Sequence, residues 1–246
     1  VVQRDERTTG GGGPGANADE SAFADALVEL TGEPCNLLVV GAVPRHATVT
    51  ACRRLFGDPS ADRYRLLVYT HDGDVDVGDR LGAGPMGPSP GTASVVRHLI
   101  PSRSVEAVAD PHPVETCVES GRLSELGRTV SDRILEFTRS TDDRSSREIR
   151  VCFDSLSAIL AEYDTEPVFR FVNMMVGQIH DVGGVGLFHL PYPRDSEVVA
   201  LLEPLFDGLV ELRVVDGQIQ QRWHLADRAV TSDWQPLEDT QKTTDG

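Results

Sequence analysis

Two hydrophobic patterns take turns along this chain. Short continuous apolar runs stand at Asn36–Val40, Arg65–Thr70, Val95–Ile100 and Val185–Leu190. With no polar alternation inside them, they read as strands covered on both faces, as in a parallel sheet. Val105–Ala109 reads as a weaker strand. Between the runs, apolar residues recur every three or four positions, the spacing of a helix face. Asp19–Thr31 carries Phe23, Leu27 and Leu30 in this way, and Gly32 with Pro34 supplies a stop. Thr48–Phe56 is helical up to Gly57, and Gly121–Arg139 keeps Leu123, Leu126, Val130, Ile134 and Phe137 on one face. A longer helix, capped at Asp164/Thr165, runs to His180 with Val168, Val172, Met175, Val176 and Ile179 as its buried stripe. Asp195–Phe206 is helical, with Pro204 disturbing its last turn. Leu209–Val215 and Gln218–Leu225 flank Asp216-Gly217, a two-residue turn that favours a hairpin.

One stretch combines both patterns. Arg150–Phe153 is apolar apart from its first residue, ends in Asp154-Ser155, and passes into the helical spacing of Leu156, Ile159 and Leu160. Strand, helix, strand, helix and a closing hairpin is the order of a three-layer α/β domain with a mostly parallel sheet. That domain is expected over residues 19–226. Residues 1–18, polar with Gly10–Gly13 in a row, and the polar residues 227–246 are expected to be disordered flanks. His71–Gly91 is a long loop, acidic first and then rich in Gly and Pro, of the kind that is functional or mobile.

Charge changes the picture most. The 246 residues include 39 acidic and 23 basic ones, for a net charge of −16. Lys242 is the single lysine. Acidic excess with arginine in place of lysine fits a protein adapted to molar salt, where the Debye length is ~3 Å and self-repulsion is screened. Nucleic acid is then excluded as a partner, because backbone binding needs basic surface and weakens steeply with salt. A phosphate-gripping lysine is excluded from the folded part. No apolar run approaches the ~18 residues of a membrane span, and no secretory leader pattern is present, so a cytoplasmic protein is expected.

The order of motifs resembles the RecA/RadA/KaiC branch of P-loop ATPases. An apolar strand meets a loop opening with Gly41, a second strand ends near Asp72, and a third ends in Asp154-Ser155-Leu156-Ser157. Leu205–Leu212 is similar to that branch's entry into its closing hairpin. The likeness covers roughly residues 19–226 and looks closest to the divergent KaiC-like domains of haloarchaea. It implies a RecA-like sheet flanked by helices, a phosphate loop at Gly41–Thr48, and a magnesium-binding acid at Asp154. Assembly into homo-oligomers, or with a KaiC-like relative, is implied in the same way.

Laid on the pattern G-x-x-x-x-G-K-[ST], Gly41–Thr48 reads G-A-V-P-R-H-A-T. The loop works because backbone N–H groups and a lysine surround the phosphates while the hydroxyl joins the metal. Gly41 and Thr48 match; His46 replaces the second glycine, Ala47 replaces the lysine, and Pro44 removes one N–H. Losing a charge-assisted hydrogen bond of ~1.5–3 kcal/mol weakens phosphate binding by one to two orders of magnitude. Arg45 stands two places too early to replace the lysine's geometry. The region expected to hold a catalytic glutamate has His71, Asp72 and Asp74 instead. The expectation is a pseudo-ATPase with no cofactor, acting as a regulatory or interaction domain in signalling. Its vestigial pocket is Gly41, Arg45, Thr48 and Asp154. The competing expectation is an enzyme that binds ATP and magnesium weakly through Thr48 and Asp154.

Other constellations are weaker. Asp72–Asp79 has acid spacing like a calcium loop, but Ala83 stands where the bidentate glutamate belongs. The seven histidines include no pair at zinc-binding spacing. His46, His71 and His189 could meet Asp154 at the carboxyl ends of the strands, where open α/β sheets bind ligands, although scattered structural histidines are the simpler reading. Cys35, Cys52, Cys117 and Cys152 form no C-x-x-C pair and read as free thiols, buried where they lie in apolar runs. No serine lies in G-x-S-x-G, which argues against an α/β-hydrolase.

Overall fold

The apolar runs become the central strands of one ten-stranded sheet. The computed structural model describes residues 33–57, 61, 63–70, 80–81, 91–98, 115–118, 121–140, 149–225 and 230–237. Strands are β1 (Cys35–Val40), β2 (Tyr64–Tyr69), β3 (Ala93–His98), β4 (Glu115–Val118), β5 (Ile149–Asp154), β6 (Val185–Leu190), β7 (Gly208–Val215), β8 (Gln218–Leu225), β9 (Val230–Thr231) and β10 (Gln235–Pro236). Helices among the described residues are α1 (Arg45–Phe56), α2 (Leu123–Ser140), α3 (Leu156–Glu162), α4 (Thr165–Asp181) and α5 (Glu197–Leu202). The expected helix at Asp19–Thr31, the strand at Val105–Ala109, most of the loop from His71 to Gly91 and the lead of residues 1–18 lie outside the described residues.

The sheet runs β10-β8-β7-β1-β6-β5-β2-β3-β4, with β9 also on β8. Six strand pairs from β4 across to β7 are parallel. The Asp-Gly hairpin of β7 and β8 is antiparallel. β6 separates β1 from β5, so the Gly41 loop and Asp154 leave the same edge of the sheet two strands apart. Asp216 and Gly217 both take positive φ, 50° and 76°, as the tight hairpin turn requires.

Strand alternation sorts the core into two layers. Leu38, Val40, Leu66, Val68, Val151, Phe153, Phe188 and Leu190 pack against α2, α3, α4 and α5. Phe153 stacks on Phe188 at 4.5 Å and meets Phe171 edge-on at 6.0 Å. Each fully buried side chain of this kind contributes about 1.5–3 kcal/mol. Leu37, Val39, Leu67, Tyr69, Cys152 and Leu187 face the other way, onto Ala51, Cys52 and Phe56 of α1. The expected three-layer α/β architecture is the one found.

Several local expectations change. The helix expected from Thr48 starts at Arg45, because Pro44 sits at the N-cap with extended backbone and its carbonyl accepts the Ala47 N–H at 2.9 Å. Asp164 does hold the N-cap position of α4, but its side chain makes no capping hydrogen bond. β4 is too short and too polar to show a period. The domain does not stop at residue 226: β9 and β10 both pair with β8, and Leu237 is buried. Two-residue strands carry no hydrophobic pattern, so the polar composition hides them. What anchors them is Trp234, whose ring lies 3.8 Å from the Arg213 guanidinium and 4.5 Å from that of Arg222. No described helix is long and apolar enough to cross a membrane.

Candidate functional site

The Gly41–Thr48 turn follows directly from β1. Gly41 has φ 132°, and a Cβ there would lie 2.3 Å from the Leu212 carbonyl oxygen of β7, so glycine is required for the hairpin to approach. The turn spends its donors on its own neighbourhood. Gly41 N–H donates to the Tyr192 carbonyl, Val43 N–H to that of Gly41, and Ala47 N–H to that of Pro44, each at 2.9 Å. Thr48 Oγ1 donates to the Arg45 carbonyl at 2.7 Å, within its own helical turn. Arg45 and His46 are exposed, whereas Ala47 is fully buried on the inner face of α1.

Asp154 ends β5 on the α1 side of the sheet, and its carboxylate is paired with the guanidinium of Arg80. Both side chains are buried, at 8% and 1% exposure. Burial works against the Arg80 charge, but Asp154 outweighs it and holds the guanidinium above its usual pKa. Arg80 also lies 5.9 Å from the centre of the Tyr69 ring. Next to Asp154, Thr70 donates its hydroxyl to the Ser155 carbonyl. A cation supplied by the chain itself thus sits on the acid that the sequence pattern marks for magnesium.

A second group of polar side chains lies on the same face. Cys152 precedes Asp154 by two residues on β5, Cys52 faces it from α1, and His189 comes from β6. Their donor atoms all lie within 4.8 Å of one another. The two sulfurs are 3.1 Å apart and share a hydrogen bond. Burial alone would raise the Cys52 thiol, but Cys152, His189 and Arg80 outweigh it and bring it down to about 5. Burial and Cys52 together hold Cys152 well above the usual thiol range. Cys35 is separate, and burial beside Asp207 pushes it up to about 11. Cys35, Cys52 and Cys152 are buried free thiols as expected, whereas Cys117 is exposed.

A cavity of about 580 Å³ opens on the other side of the turn, between residues 41–44, residues 193–195 and the β7–β8 hairpin. Its arginines already have partners. Arg194 bonds Glu203 at 2.6 Å, Arg222 bonds Glu211 at 2.7 Å, and Arg213 Nε donates to Gln220 at 2.9 Å.

Of the residues singled out in the sequence, Gly41, Arg45 and Thr48 share one turn, while Asp154 is engaged by Arg80. His189 does not join His46 in an open crevice, since His189 is buried and His46 is exposed. His71, Asp72, Asp74 and the remaining acids through Asp79 lie outside the described residues. Asp207, part of the hairpin-entry motif, serves the fold, its carboxylate accepting the Asn36 N–H at 2.7 Å. Sequence reasoning missed Arg80 and the thiol–imidazole group. Alternation along β5 puts Cys152 on the face of Asp154, but nothing in the sequence brings Cys52 and His189 to it.

The profile of DUF7504, a family of unknown function, matches residues 34–212. The chain belongs to this family. No curated protein matches it. Among solved structures, the DUF7504 fold is similar to a KaiC-like protein from the hyperthermophilic archaeon Pyrococcus horikoshii OT3. The TM-score is 0.55 at 10% identity, over 83% of this chain and 85% of that one. At that identity the likeness is one of fold, and this DUF7504 member has a KaiC-like, RecA-type sheet closed by an antiparallel hairpin.

Proposed function

We propose that this domain is a pseudo-ATPase: a KaiC-like fold that works as a regulatory or protein-interaction module in signalling, without catalysis and without a nucleotide cofactor. The observation that carries the reading is the Arg80–Asp154 ion pair, which places an internal cation on the acid otherwise available to magnesium. The turn at Gly41–Thr48 supports it. Three of its N–H groups serve backbone carbonyls, its hydroxyl donates to the Arg45 carbonyl within its own helix, and a buried alanine stands where the lysine would be. Gly41, Arg45, Thr48 and Asp154 are then a vestigial pocket, retained for the fold. The acidic, lysine-poor surface suits a salt-rich cytoplasm, and the partner is a second copy or a KaiC-like relative. Nucleic acid and membranes are not its targets.

Calorimetric titration of the full chain with magnesium-ATP in molar KCl tests this reading. No heat of binding is expected at millimolar nucleotide. Magnesium-dependent binding that disappears in Asp154→Ala overturns the reading in favour of an altered ATPase. Sizing at molar salt, alone and mixed with a KaiC-like relative, tests the partner; a strict monomer in both removes that part.

A further inference from the structure

His189 is 1% exposed, and neither of its ring nitrogens has a hydrogen-bond partner. An imidazole sealed in a core without partners is rare, because it forfeits its bonds to water and gains none in return. Around it stand two thiols rather than the carbonyls or carboxylates that ordinarily orient a buried histidine. Cys52 and Cys152 are both fully buried, and the donor atoms of all three residues lie within 4.8 Å of one another. They arrive from three elements, α1, β5 and β6, and their convergence is set by the fold alone.

We infer that Cys52, Cys152 and His189 form a buried site for a thiophilic transition-metal ion of the zinc class. Two thiolates and a neutral imidazole are the donor set that soft and borderline ions select over magnesium or calcium. Their combined charge neutralises a divalent ion, which matters at a site so far removed from bulk water. The ion would take up a ring nitrogen of His189 that otherwise has no partner. A disulfide between the cysteines would leave both nitrogens unsatisfied, and a cysteine–histidine nucleophile would need a substrate path that three sealed side chains do not offer. Across a tetrahedral zinc with bonds of about 2.3 Å to sulfur, the two sulfurs stand about 3.8 Å apart. The present separation is 3.1 Å, so the ion parts the thiols slightly as it displaces their protons. Among the described residues three donors converge, leaving one coordination position to a further ligand. The site would tie α1 to the two strands on either side of the β5–β6 seam. This inference stands independently of the pseudo-ATPase reading.

Cobalt(II) titration of the reduced, metal-free full chain in molar KCl tests it. A thiolate-to-cobalt charge-transfer band is expected, saturating at one ion per chain and displaced by zinc(II). Cys52→Ser abolishes the band, His189→Gln weakens and shifts it, and Cys117→Ser, which removes the exposed thiol, leaves it intact. Circular dichroism of each variant separates loss of the site from loss of the fold. Should Cys52→Ser not fold, thiol labelling of the unmodified chain in mild denaturant decides: zinc slows modification of Cys52 and Cys152 but not of Cys117. No band in the folded, reduced protein overturns the inference. So does a band that depends on Cys117 alone, or a Cys52–Cys152 disulfide in a chain that binds no metal after reduction.

Discussion

The guanidinium of Arg80 is paired with the carboxylate of Asp154 inside the sheet's α1-side layer, both side chains almost wholly removed from solvent. Taking two charges out of water is expensive, and only their mutual attraction offsets it. The pair is therefore kept or lost together.

Arg80→Met is expected to destabilise the domain by about 3–5 kcal/mol, because it withdraws the guanidinium from a carboxylate that stays buried. Arg80→Met combined with Asp154→Asn recovers part of that loss, since no net charge remains. Urea denaturation at constant molar salt gives both values. Equal destabilisation in the single and double variants would show that packing by Arg80, not its charge, holds the site.

Restoring the missing lysine does not restore a phosphate loop. Ala47 is fully buried, so Ala47→Lys forces an ammonium into the layer beneath α1. A loss of about 3 kcal/mol or more is expected, of the order found when a charge is left uncompensated in a core. Thermal unfolding reads the loss, and titration with magnesium-ATP is expected to show no gain in binding.

Gly41 serves the hairpin. Its φ of 132°, and the 2.3 Å that would separate an added Cβ from the Leu212 carbonyl oxygen, make Gly41→Ala costly. About 1–3 kcal/mol is expected, the cost of holding a non-glycine residue in such a conformation. Comparing urea midpoints with a Gly177→Ala control measures it, since a Cβ at Gly177 meets nothing within 4 Å.

Acid weakens the fold in two stages. Burial lowers the His98 pKa, and burial also lowers that of His224 despite Glu211 beside it. The unfolded chain therefore binds protons that these folded side chains refuse. Their contribution is complete above the unfolded value of about 6.5 and is lost as pH falls through the lower folded values. Glu211 follows: burial opposes its charge, but Arg222 and His224 prevail and depress its pKa. Its contribution, modest because the group is partly exposed, holds above about pH 4.3 and is lost as pH falls through the folded value. Urea midpoints across this range are expected to fall in both windows, and His98→Gln, which can still meet the Tyr163 hydroxyl, flattens the first. Midpoints constant from neutral pH down to the lower window would refute the histidine part.

The legible parts of the molecule are those whose signal is local. Asn36–Val40 and Val185–Leu190 read as doubly covered strands because every side chain in β1 and β6 is buried. Asp216-Gly217 announced its turn because few other pairs accept positive φ twice in succession. β4, β9 and β10 were not legible, since four or two residues held by neighbours show no period. The site was half legible for the same reason. Asp154 stands out at the end of an apolar strand, but nothing around Arg80 in the sequence distinguishes it from the other arginines of the chain. Only the folded sheet selects it. His189, Cys52 and Cys152 each look like an isolated core residue until α1, β5 and β6 come together.

The short strands beyond the hairpin limit what this end of the sheet offers to another chain. β8 is capped on its outer side by β9 and β10, each only two residues long, and Pro236 in β10 has no N–H to offer. A sheet margin this short and donor-poor is a bad template for adding another chain's strand. A partner approaching this end would meet side-chain surfaces, which can be selective, rather than an open backbone edge, which is not; the same capping guards a β-rich hairpin against runaway polymerisation.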